Sequence, residues 1–233
     1  MGNLNKTNNQ LIMSKLIKFL KRITVKSVYF NFKYLPLKDA IKFPFLISRN
    51  VLFLETKGRI KIDAPIKTGM IQIGYGKIGI FDMNRSRSIW QVSGEVTFKG
   101  KAHIGHGTKI SVNKDAHLEF GNNFAVTAES EIVTQKNIQF GDNVLISWNC
   151  LIMDTDFHKI YDQTGKLINS PEPIIVGKNV WIGCRNVILK GSKISDGSII
   201  GANSFPNKDI SDKSGIFAGN PIRFIKGNVS WEI

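Results

Sequence analysis

Residues 176–205 read VGKNVWIGCRNVILKGSKISDGSIIGANSF, and an aliphatic residue stands at every sixth position of this stretch. The repeating aliphatic residues are Val176, Ile182, Ile188, Ile194 and Ile200, and glycine follows three of them. The fifth residue of each group is small or polar, namely Val180, Asn186, Ser192, Ser198 or Ser204. A period of six matches neither the helical period of about 3.6 nor the strand period of about 2. It predicts a β-helix, in which short strands alternate with tight corners and every sixth side chain stacks inside on the coil below.

The same period continues, with shifts of register, through residues 92–152. It is interrupted by residues 157–174, FHKIYDQTGKLINSPEPI, which are polar, rich in turn residues and contain two prolines. Such a segment predicts a loop excursion from the β-helix, and an insertion in a repetitive scaffold often carries function. We therefore predict a basic N-terminal unit over residues 1–57, the β-helix over 58–226 and a tail over 227–233.

Composition limits the class of protein. The chain has 233 residues, of which 42% are hydrophobic and 21% charged, which is typical of a globular protein. No apolar run reaches the ~18 residues of a membrane span, and lysines interrupt the N-terminal apolar residues, which is atypical of a secretory leader. The two cysteines, Cys150 and Cys184, form no disulfide framework, which favours a cytoplasmic location, soluble or peripheral at the inner face of the membrane.

The net charge of +14 is unevenly distributed. Residues 1–61 contain 13 lysines and arginines against Asp39 and Glu55, whereas the remaining residues contain 19 against 16 acids. The β-helix is therefore nearly neutral, and the sequence gives no indication of a nucleic-acid partner.

The N-terminal segment carries two patterns. Residues 11–24 place apolar residues at helical spacing with lysines largely on the other side, which predicts a basic amphipathic helix. Such a helix can make a peripheral contact with an anionic membrane, or it can cap the β-helix or join subunits. Over residues 28–54 the apolar residues alternate, as at Val28, Phe30, Phe32 and Tyr34, which predicts extended structure.

Four segments together resemble the left-handed β-helix (hexapeptide-repeat) acyltransferases, and most of all the acetyltransferases of polysaccharide and lipopolysaccharide biosynthesis. They are DTDFH (154–158), VWIGCRNVILKGSKI (180–194), SIIGANSFPNKDI (198–210) and AGNPIRFIK (218–226). The resemblance implies a homotrimer with active sites between neighbouring β-helices, acetyl-CoA as co-substrate and no catalytic metal. It leaves the acceptor unnamed, although saccharide acceptors are typical of the similar enzymes.

By the same resemblance, His158 occupies the place of the catalytic histidine. An imidazole with a pKa near 6.5 can take a proton from a sugar hydroxyl at neutral pH. Asp154 and Asp156 alternate with His158, so a strand would place all three on one face, and one of the two acids would orient the imidazole. The alternative for Asp156 is a capping role at a coil corner.

The resemblance also implies binding residues. Trp181 matches a tryptophan beside the acetyl and acceptor pocket. The residues expected to contact acetyl-CoA are Gly183, Cys184, Gly201, Ala202, Lys208, Arg223 and Lys226. The last three are cations, which suit phosphate groups, and the alternative for each of them is a solvated surface charge.

Two other kinds of side chain in the sequence could be catalytic, a cysteine and a set of histidines. Cys184 has no histidine beside it in sequence, and the similar enzymes need no acyl-enzyme, which argues against a thiol nucleophile. His103, His106 and His117 do not have the spacing of the zinc-binding histidines in β-helical carbonic anhydrases, so we predict no metal site.

The sequence thus predicts an acetyl-CoA-dependent O-acetyltransferase that acts on a saccharide hydroxyl. Two alternatives remain: an N-acetyltransferase acting on an amino sugar, which would need the same base, and a non-catalytic scaffold that docks to membranes through its basic helix.

Overall fold

A computed structural model describes residues 22–232, which form three sheets and two helices. Sheet A contains β1 (Phe45–Ile47), β4 (Ile71–Tyr75), β7 (Ala102–His106), β10 (Phe124–Ala128), β13 (Leu145–Ile146), β16 (Trp181–Ile182), β19 (Ile199–Ile200), β21 (Ile216–Ala218) and β22 (Arg223–Lys226). Sheet B contains β2 (Val51–Thr56), β5 (Ser88–Val92), β8 (Lys109–Val112), β11 (Glu131–Thr134), β14 (Leu151–Met153) and β17 (Val187–Leu189). Sheet C contains β3 (Arg59–Ile62), β6 (Glu95–Phe98), β9 (His117–Phe120), β12 (Asn137–Phe140), β15 (Ile174–Val176), β18 (Lys193–Ile194) and β20 (Asp209–Ile210).

From β1 to β19, consecutive strands belong to sheets A, B and C in turn, so each turn of the chain adds one strand to each sheet. The last coil has no strand in sheet B, since β20 belongs to sheet C and both β21 and β22 belong to sheet A. The strands within each sheet pair in parallel, apart from β22, which runs antiparallel to β21. This arrangement is the left-handed parallel β-helix that the sequence predicted, and the prediction of fold class is confirmed. The first coil already begins at β1, inside the segment 1–57 that we set apart from the β-helix.

The interior follows the six-residue repeat. The side chains of Val176, Ile182, Ile188, Ile194 and Ile200 are no more than 2% exposed. A buried ladder of small or polar side chains follows the corner between sheets A and B: Ser88, Thr108, Ser130, Cys150, Asn186 and Ser204. Within this ladder, the Asn186 amide donates to the carbonyls of Gly183 and Gly201, and its oxygen accepts from the Ser204 amide. Asn186, a polar residue at the fifth position, thus joins one coil to the next.

The segment before the first coil is helical. Helix α1 spans Val25–Tyr34 and α2 spans Leu37–Ala40. A capping box starts α1: the Thr24 side chain accepts from the Ser27 amide, and the Ser27 side chain accepts from the Thr24 amide. The predicted amphipathic helix over 11–24 lies largely outside the described residues; residues 22–24 precede α1 and are not helical.

The prediction of extended structure over residues 28–34 is therefore wrong, although strand β2 confirms the same prediction for Val51–Leu54. Phe30 is fully buried at the end of the β-helix, with its ring 5.0 Å from Phe45 and 5.3 Å from Trp90. The Asn31 amide bridges helix and sheet, donating to the carbonyls of Ser27 and Phe45 and accepting from the Phe45 amide. These buried tertiary contacts outweigh the local preference of alternating apolar residues for a strand.

The β-helix is interrupted between β14 and β15 by residues 154–173, which confirms the predicted excursion. Between β4 and β5 lies a second excursion, residues 76–87, that the sequence analysis did not single out. Neither helix within residues 22–232 has the length and apolar character that crossing a bilayer requires.

Candidate active site

The excursion over residues 154–173, which we call the site loop, leaves the β-helix at the corner between sheets B and C. It starts at Asp154, whose side chain is fully buried. The Asp154 carboxylate accepts from the backbone amides of Gln135, Lys136 and Asn137 at 2.6, 2.9 and 2.7 Å. At the other end of the loop, the Glu172 amide donates to the Asp154 carbonyl at 3.2 Å. Asp154 therefore fixes the corner of the preceding coil and closes the neck of the loop.

A tight turn directs His158 outward. The Thr155 hydroxyl accepts from the Phe157 amide at 2.9 Å, Phe157 adopts a φ of +59°, and the His158 amide donates to the Asp156 carbonyl at 2.6 Å. The His158 side chain is exposed at the surface of the loop. Because strand β14 ends at Met153, the expectation that a strand would place both acids on one face with His158 is wrong. Within residues 22–232, no carboxylate hydrogen-bonds to the His158 imidazole.

Two residues that the sequence analysis missed hold the backbone around His158. The Asn169 amide donates to the His158 carbonyl at 2.7 Å and to the Asp156 carboxylate at 3.0 Å, and its oxygen accepts from the Ile160 amide. The Lys190 ammonium, from the next coil, binds the same Asp156 carboxylate and the Asn169 carbonyl. The hydrogen bond from Lys190, assisted by that from Asn169, lowers the pKa of Asp156 below its usual value.

The loop forms one wall of a small pocket. Its volume is about 180 Å³, and His158, Thr155, Phe157 and Asn169 line it together with Gln135 of the preceding coil. An exposed imidazole beside a pocket can accept a proton from a bound group and return it, which is the chemistry of a general base.

Four of the predicted cofactor residues lie together on the corner between sheets A and B. Gly183 and Cys184 lie on one coil and Gly201 and Ala202 on the next, joined by a hydrogen bond of 2.8 Å from the Gly183 amide to the Ile200 carbonyl. A Cβ on Gly183 would lie 2.8 Å from the amide nitrogen of Ala202, so glycine is required here for the coils to stack. Cys184 is a free, half-buried thiol.

The three predicted cations are exposed but do not lie in one place. Arg223, on β22, pairs with Ala218, one coil beyond Gly201, and therefore continues the glycine-containing corner. Lys226 lies at the opposite end of the same strand, opposite Ile216. Lys208 precedes β20 and lies towards sheet C.

Trp181 projects outward from sheet A and is 38% exposed. Its indole N–H donates to the Ser147 hydroxyl at 3.3 Å, and its ring lies 6.2 Å from that of Trp231 in the C-terminal tail. The Trp231 N–H donates to the Asn179 carbonyl at 2.7 Å, so the tail folds back onto the β-helix beside Trp181. Trp181 lies on sheet A and His158 at the junction of sheets B and C, so one chain does not bring these two residues together.

The remaining histidines are separated from the site loop. His103 and His106 belong to β7 of sheet A, and burial lowers the pKa of His103 below its usual value. His117 lies on sheet C, where its Nε2 and the Thr97 hydroxyl are 3.0 Å apart.

Comparison with known proteins concerns the fold and the class of enzyme. The chain is 27% identical over 228 residues to a probable acetyltransferase of Mycobacterium tuberculosis, covering 92% of this chain and 66% of that protein. It is 36% identical over 113 residues to the galactoside O-acetyltransferase of Escherichia coli, covering 48% of this chain and 54% of that protein. The resemblance to hexapeptide-repeat acyltransferases is confirmed. No family model matches the chain.

Among solved structures, the crystal structure of the polySia-specific acetyltransferase NeuO is similar in fold. The TM-score is 0.53 at 23% sequence identity, and the match covers 82% of this chain and 89% of NeuO. The chain spans about two thirds of the length of the mycobacterial relative and about half that of the Escherichia coli relative. The relatives belong to the enzyme class that the sequence predicted.

Proposed function

We propose that this protein is an acetyl-CoA-dependent O-acetyltransferase that acts on a saccharide hydroxyl, such as that of a surface polysaccharide or its precursor. The observation that carries the proposal is the exposed His158 imidazole, which projects beside a pocket from the one loop that interrupts the coils between β13 and β20. The similarity to named acetyltransferases, including a galactoside O-acetyltransferase, supports the reaction and the class of acceptor.

In this reaction the His158 imidazole accepts the proton of the acceptor hydroxyl as its oxygen attacks the carbonyl carbon of the acetyl thioester. The bond between the carbonyl carbon and sulfur then breaks, and the imidazolium returns the proton to the departing thiolate. Asn169 and Asp156 would position His158 by holding its backbone, since Asn169 binds both the His158 carbonyl and the Asp156 carboxylate. Asp154 would act only indirectly, because its carboxylate already accepts three backbone hydrogen bonds.

The donor would lie along the corner formed by Gly183, Cys184, Gly201 and Ala202. The two coils stack closely here, since a Cβ at Gly183 would lie 2.8 Å from the Ala202 amide nitrogen, and the extended pantetheine arm would run across them. Arg223 continues the corner and would bind phosphate, with Lys208 and Lys226 as further candidate cations. Trp181 would line the acceptor and acetyl pocket.

We further propose a homotrimer in which His158 of one copy meets the corner between sheets A and B of its neighbour. The outer surfaces of sheets A and B are apolar in the C-terminal coils, where Leu145, Ile199, Leu151 and Val187 are only half-buried. Sheet C instead presents charged side chains such as Lys193 and Asp209, which form an exposed ion pair. Apolar faces of this kind are typical of surfaces that a second copy covers. Because both cysteines are free, we propose that the trimer works in the cytoplasm.

The first test is replacement of the candidate base. We expect His158→Ala to lower the rate of acetyl transfer about a hundredfold or more, because loss of a general base has that magnitude. The assay would follow release of free thiol from acetyl-CoA with galactosides, oligosialic acids and amino sugars as acceptors. His117→Ala is the matched control, since His117 lies on the surface of sheet C. An unchanged rate in His158→Ala would refute the assignment.

A second test separates the enzyme from a scaffold that only docks to membranes. Calorimetry should detect acetyl-CoA binding by the wild type and weaker binding by Arg223→Ala, with Lys178→Ala as a surface-charge control. Lys178 forms an exposed ion pair with Asp142. Failure of the wild-type protein to bind acetyl-CoA would refute the proposed function, and acetylation of amino sugars alone would reassign the acceptor to an amine.

A further inference from the structure

The N-terminal end of the β-helix is covered by helices whose outer face is apolar. Helix α1 presents Val25, Val28, Tyr29 and Phe32 to solvent, with exposures of 86, 42, 45 and 46%. These residues have the spacing i, i+3, i+4, i+7 of a single helix face. The opposite face of α1 buries Ser27, Phe30 and Asn31 against the first coil. Helix α1 is therefore anchored to the first coil by one face and presents an apolar face to solvent.

The exposed apolar surface continues onto α2. Leu37 is 68% exposed and Ile41, directly after α2, is 60% exposed. The ring of Phe32 on α1 lies 6.2 Å from that of Phe43, which follows α2. We call the surface formed by Val25, Val28, Tyr29, Phe32, Leu37 and Ile41 the cap face.

The cap face lies at the N-terminal end of the β-helix. Strand β1 is the first strand of sheet A and β2 the first strand of sheet B, so their outer edges form the N-terminal end of the β-helix. Helix α1 covers this end: the Thr24 hydroxyl donates to the Ile47 carbonyl at 2.7 Å, and the Tyr34 hydroxyl donates to the Thr56 carbonyl at 3.0 Å. Terminal caps of solenoid proteins normally present a polar outer face, because solubility requires it. The cap face departs from that rule.

The segment that carries the cap face is basic. Residues 22–54 contain Arg22, Lys26, Lys33, Lys38, Lys42 and Arg49 but a single acid, Asp39. Asp39 already pairs with Lys42 at 3.0 Å. The ammonium of Lys33 lies 5.7 Å from the ring centroids of both Tyr29 and Tyr34, so positive charge and aromatic surface are adjacent.

We propose that the cap face docks on the surface of an anionic lipid bilayer, with the axis of the β-helix directed away from the membrane. Apolar side chains would enter the boundary between headgroups and acyl chains, while Lys33 and Lys38, exposed on the same two helices, would meet anionic headgroups. The excess of basic residues favours lipid over a second copy of this chain, because two cap faces brought together would repel each other. The helix α1 has ten residues, too few to cross a bilayer, so the contact lies in the interface.

This orientation has a consequence for the site loop. The loop follows β14, the fifth strand of sheet B, so four coils separate it from the cap. At a rung spacing of about 4.8 Å, the site loop would lie roughly 20 Å above the contacting helices. The protein could then modify acceptors held near a membrane surface. The proposal does not depend on the chemistry, since it rests on the cap face alone.

The test uses the full chain and sedimentation with vesicles of phosphatidylcholine alone or of equal parts phosphatidylcholine and phosphatidylglycerol. Binding is expected only to the anionic vesicles and should weaken as salt is added. Val25→Ser/Leu37→Ser should weaken binding at least tenfold, because two side chains lose their apolar contact with lipid. Ile160→Ser/Ile168→Ser is the matched control, since both residues are exposed apolar side chains of the site loop, at 52 and 59%.

A second double variant tests the contribution of the lysine charges. Lys33→Gln/Lys38→Gln should weaken binding about thirtyfold, since each lysine near an anionic surface contributes about 1 kcal/mol. Lys159→Gln/Lys166→Gln, in the site loop, should bind as the wild type does. Circular dichroism would verify that all variants fold, which is expected because the replaced side chains are at the surface.

Three results would overturn the proposal. The first is absence of binding to anionic vesicles by the wild type. The second is unchanged binding by Val25→Ser/Leu37→Ser while deletion of residues 1–21 abolishes it, which would assign the contact to that segment. The third is a smaller particle for Val25→Ser/Leu37→Ser than for the wild type in sedimentation velocity without lipid, which would make the cap face a contact between copies.

Discussion

Regularly spaced apolar residues form strands in the C-terminal coils but a helix in the N-terminal cap. In residues 174–200, apolar residues point into the β-helix at Val176, Ile182 and Ile188, and the structure follows the repeat. In residues 28–34, apolar residues also recur at a short interval, but the segment is a helix. The difference shows that a repeated pattern predicts structure when many coils share it, whereas a single segment at the end of the fold depends on what it packs against.

The physical reason lies in the spacing. Residues at i, i+2, i+4 and i+6 face one side of a strand, yet the same set contains pairs at i, i+4 that share a helix face. Phe30 and Tyr34 form one such pair and turn towards the first coil, where the two rings lie 4.8 Å apart. Val28 and Phe32 form the other pair and turn towards solvent. The exposed cap face therefore exists because residues 25–34 form a helix and not a strand.

The sharpest test of this comparison pairs two neighbouring phenylalanines. We expect Phe30→Ala to lower the free energy of unfolding by about 3–5 kcal/mol, the usual cost of emptying a buried aromatic site. Phe32→Ala should change it by less than about 0.5 kcal/mol, as at most exposed positions. Urea unfolding followed by circular dichroism would measure both. Equal losses would mean that both rings share one environment, which contradicts the helix.

An intermediate effect is expected in the regular coils. Asn186→Ala removes the buried amide that links two coils and leaves the Ser204 N–H without its acceptor. We expect a loss of roughly 2 kcal/mol in the free energy of unfolding, since a buried unsatisfied group costs about 1–3 kcal/mol. Asn137→Ala, on the outer face of sheet C, is the control and should be nearly neutral. A neutral Asn186→Ala would show that packing alone holds these coils together.

The smallest effect concerns the site loop and depends on pH. The Asp156 carboxylate has a lowered pKa in the folded protein, so its pairing with Lys190 stabilises the loop above the unfolded pKa of about 3.9. That contribution is lost as pH falls through the lowered folded pKa. Lys190→Met should therefore lower the free energy of opening the loop by about 1 kcal/mol or less. The loop should then be cleaved faster in limited proteolysis at neutral pH.

The control for this prediction is Lys159→Met, in the same loop. Lys159 forms no ion pair with any residue in the range 22–232. The difference between Lys190→Met and wild type should shrink as the pH is lowered below about 3.9, because protonation of Asp156 removes the pairing from the wild type as well. A difference that persists in acid would assign the role of Lys190 to its hydrogen bond with the Asn169 carbonyl instead.

In the candidate site, the histidine could be predicted from the sequence, whereas the residues that contact its loop and Trp181 could be found only in the structure. The motif around His158 predicts this histidine as the base and predicts the loop that carries it, and the structure shows that side chain exposed beside a pocket. Asn169 and Lys190 could not be predicted, because their role depends on a loop that folds back and on a coil stacked above it. Trp231 was missed for a similar reason, since the tail reaches Trp181 only through the folded β-helix.

The sequence alone determined the β-helix, its interruption after β14 and the residue types of its corners, because each coil repeats the same six-residue period. It did not reveal the excursion over residues 76–87. Only the tertiary structure decided that residues 25–34 form a helix, since the end of a β-helix must be covered and Phe30 fills it. It also decided that Asp154 holds a corner while Asp156 pairs with Lys190. Such long-range contacts join residues that sequence spacing does not relate.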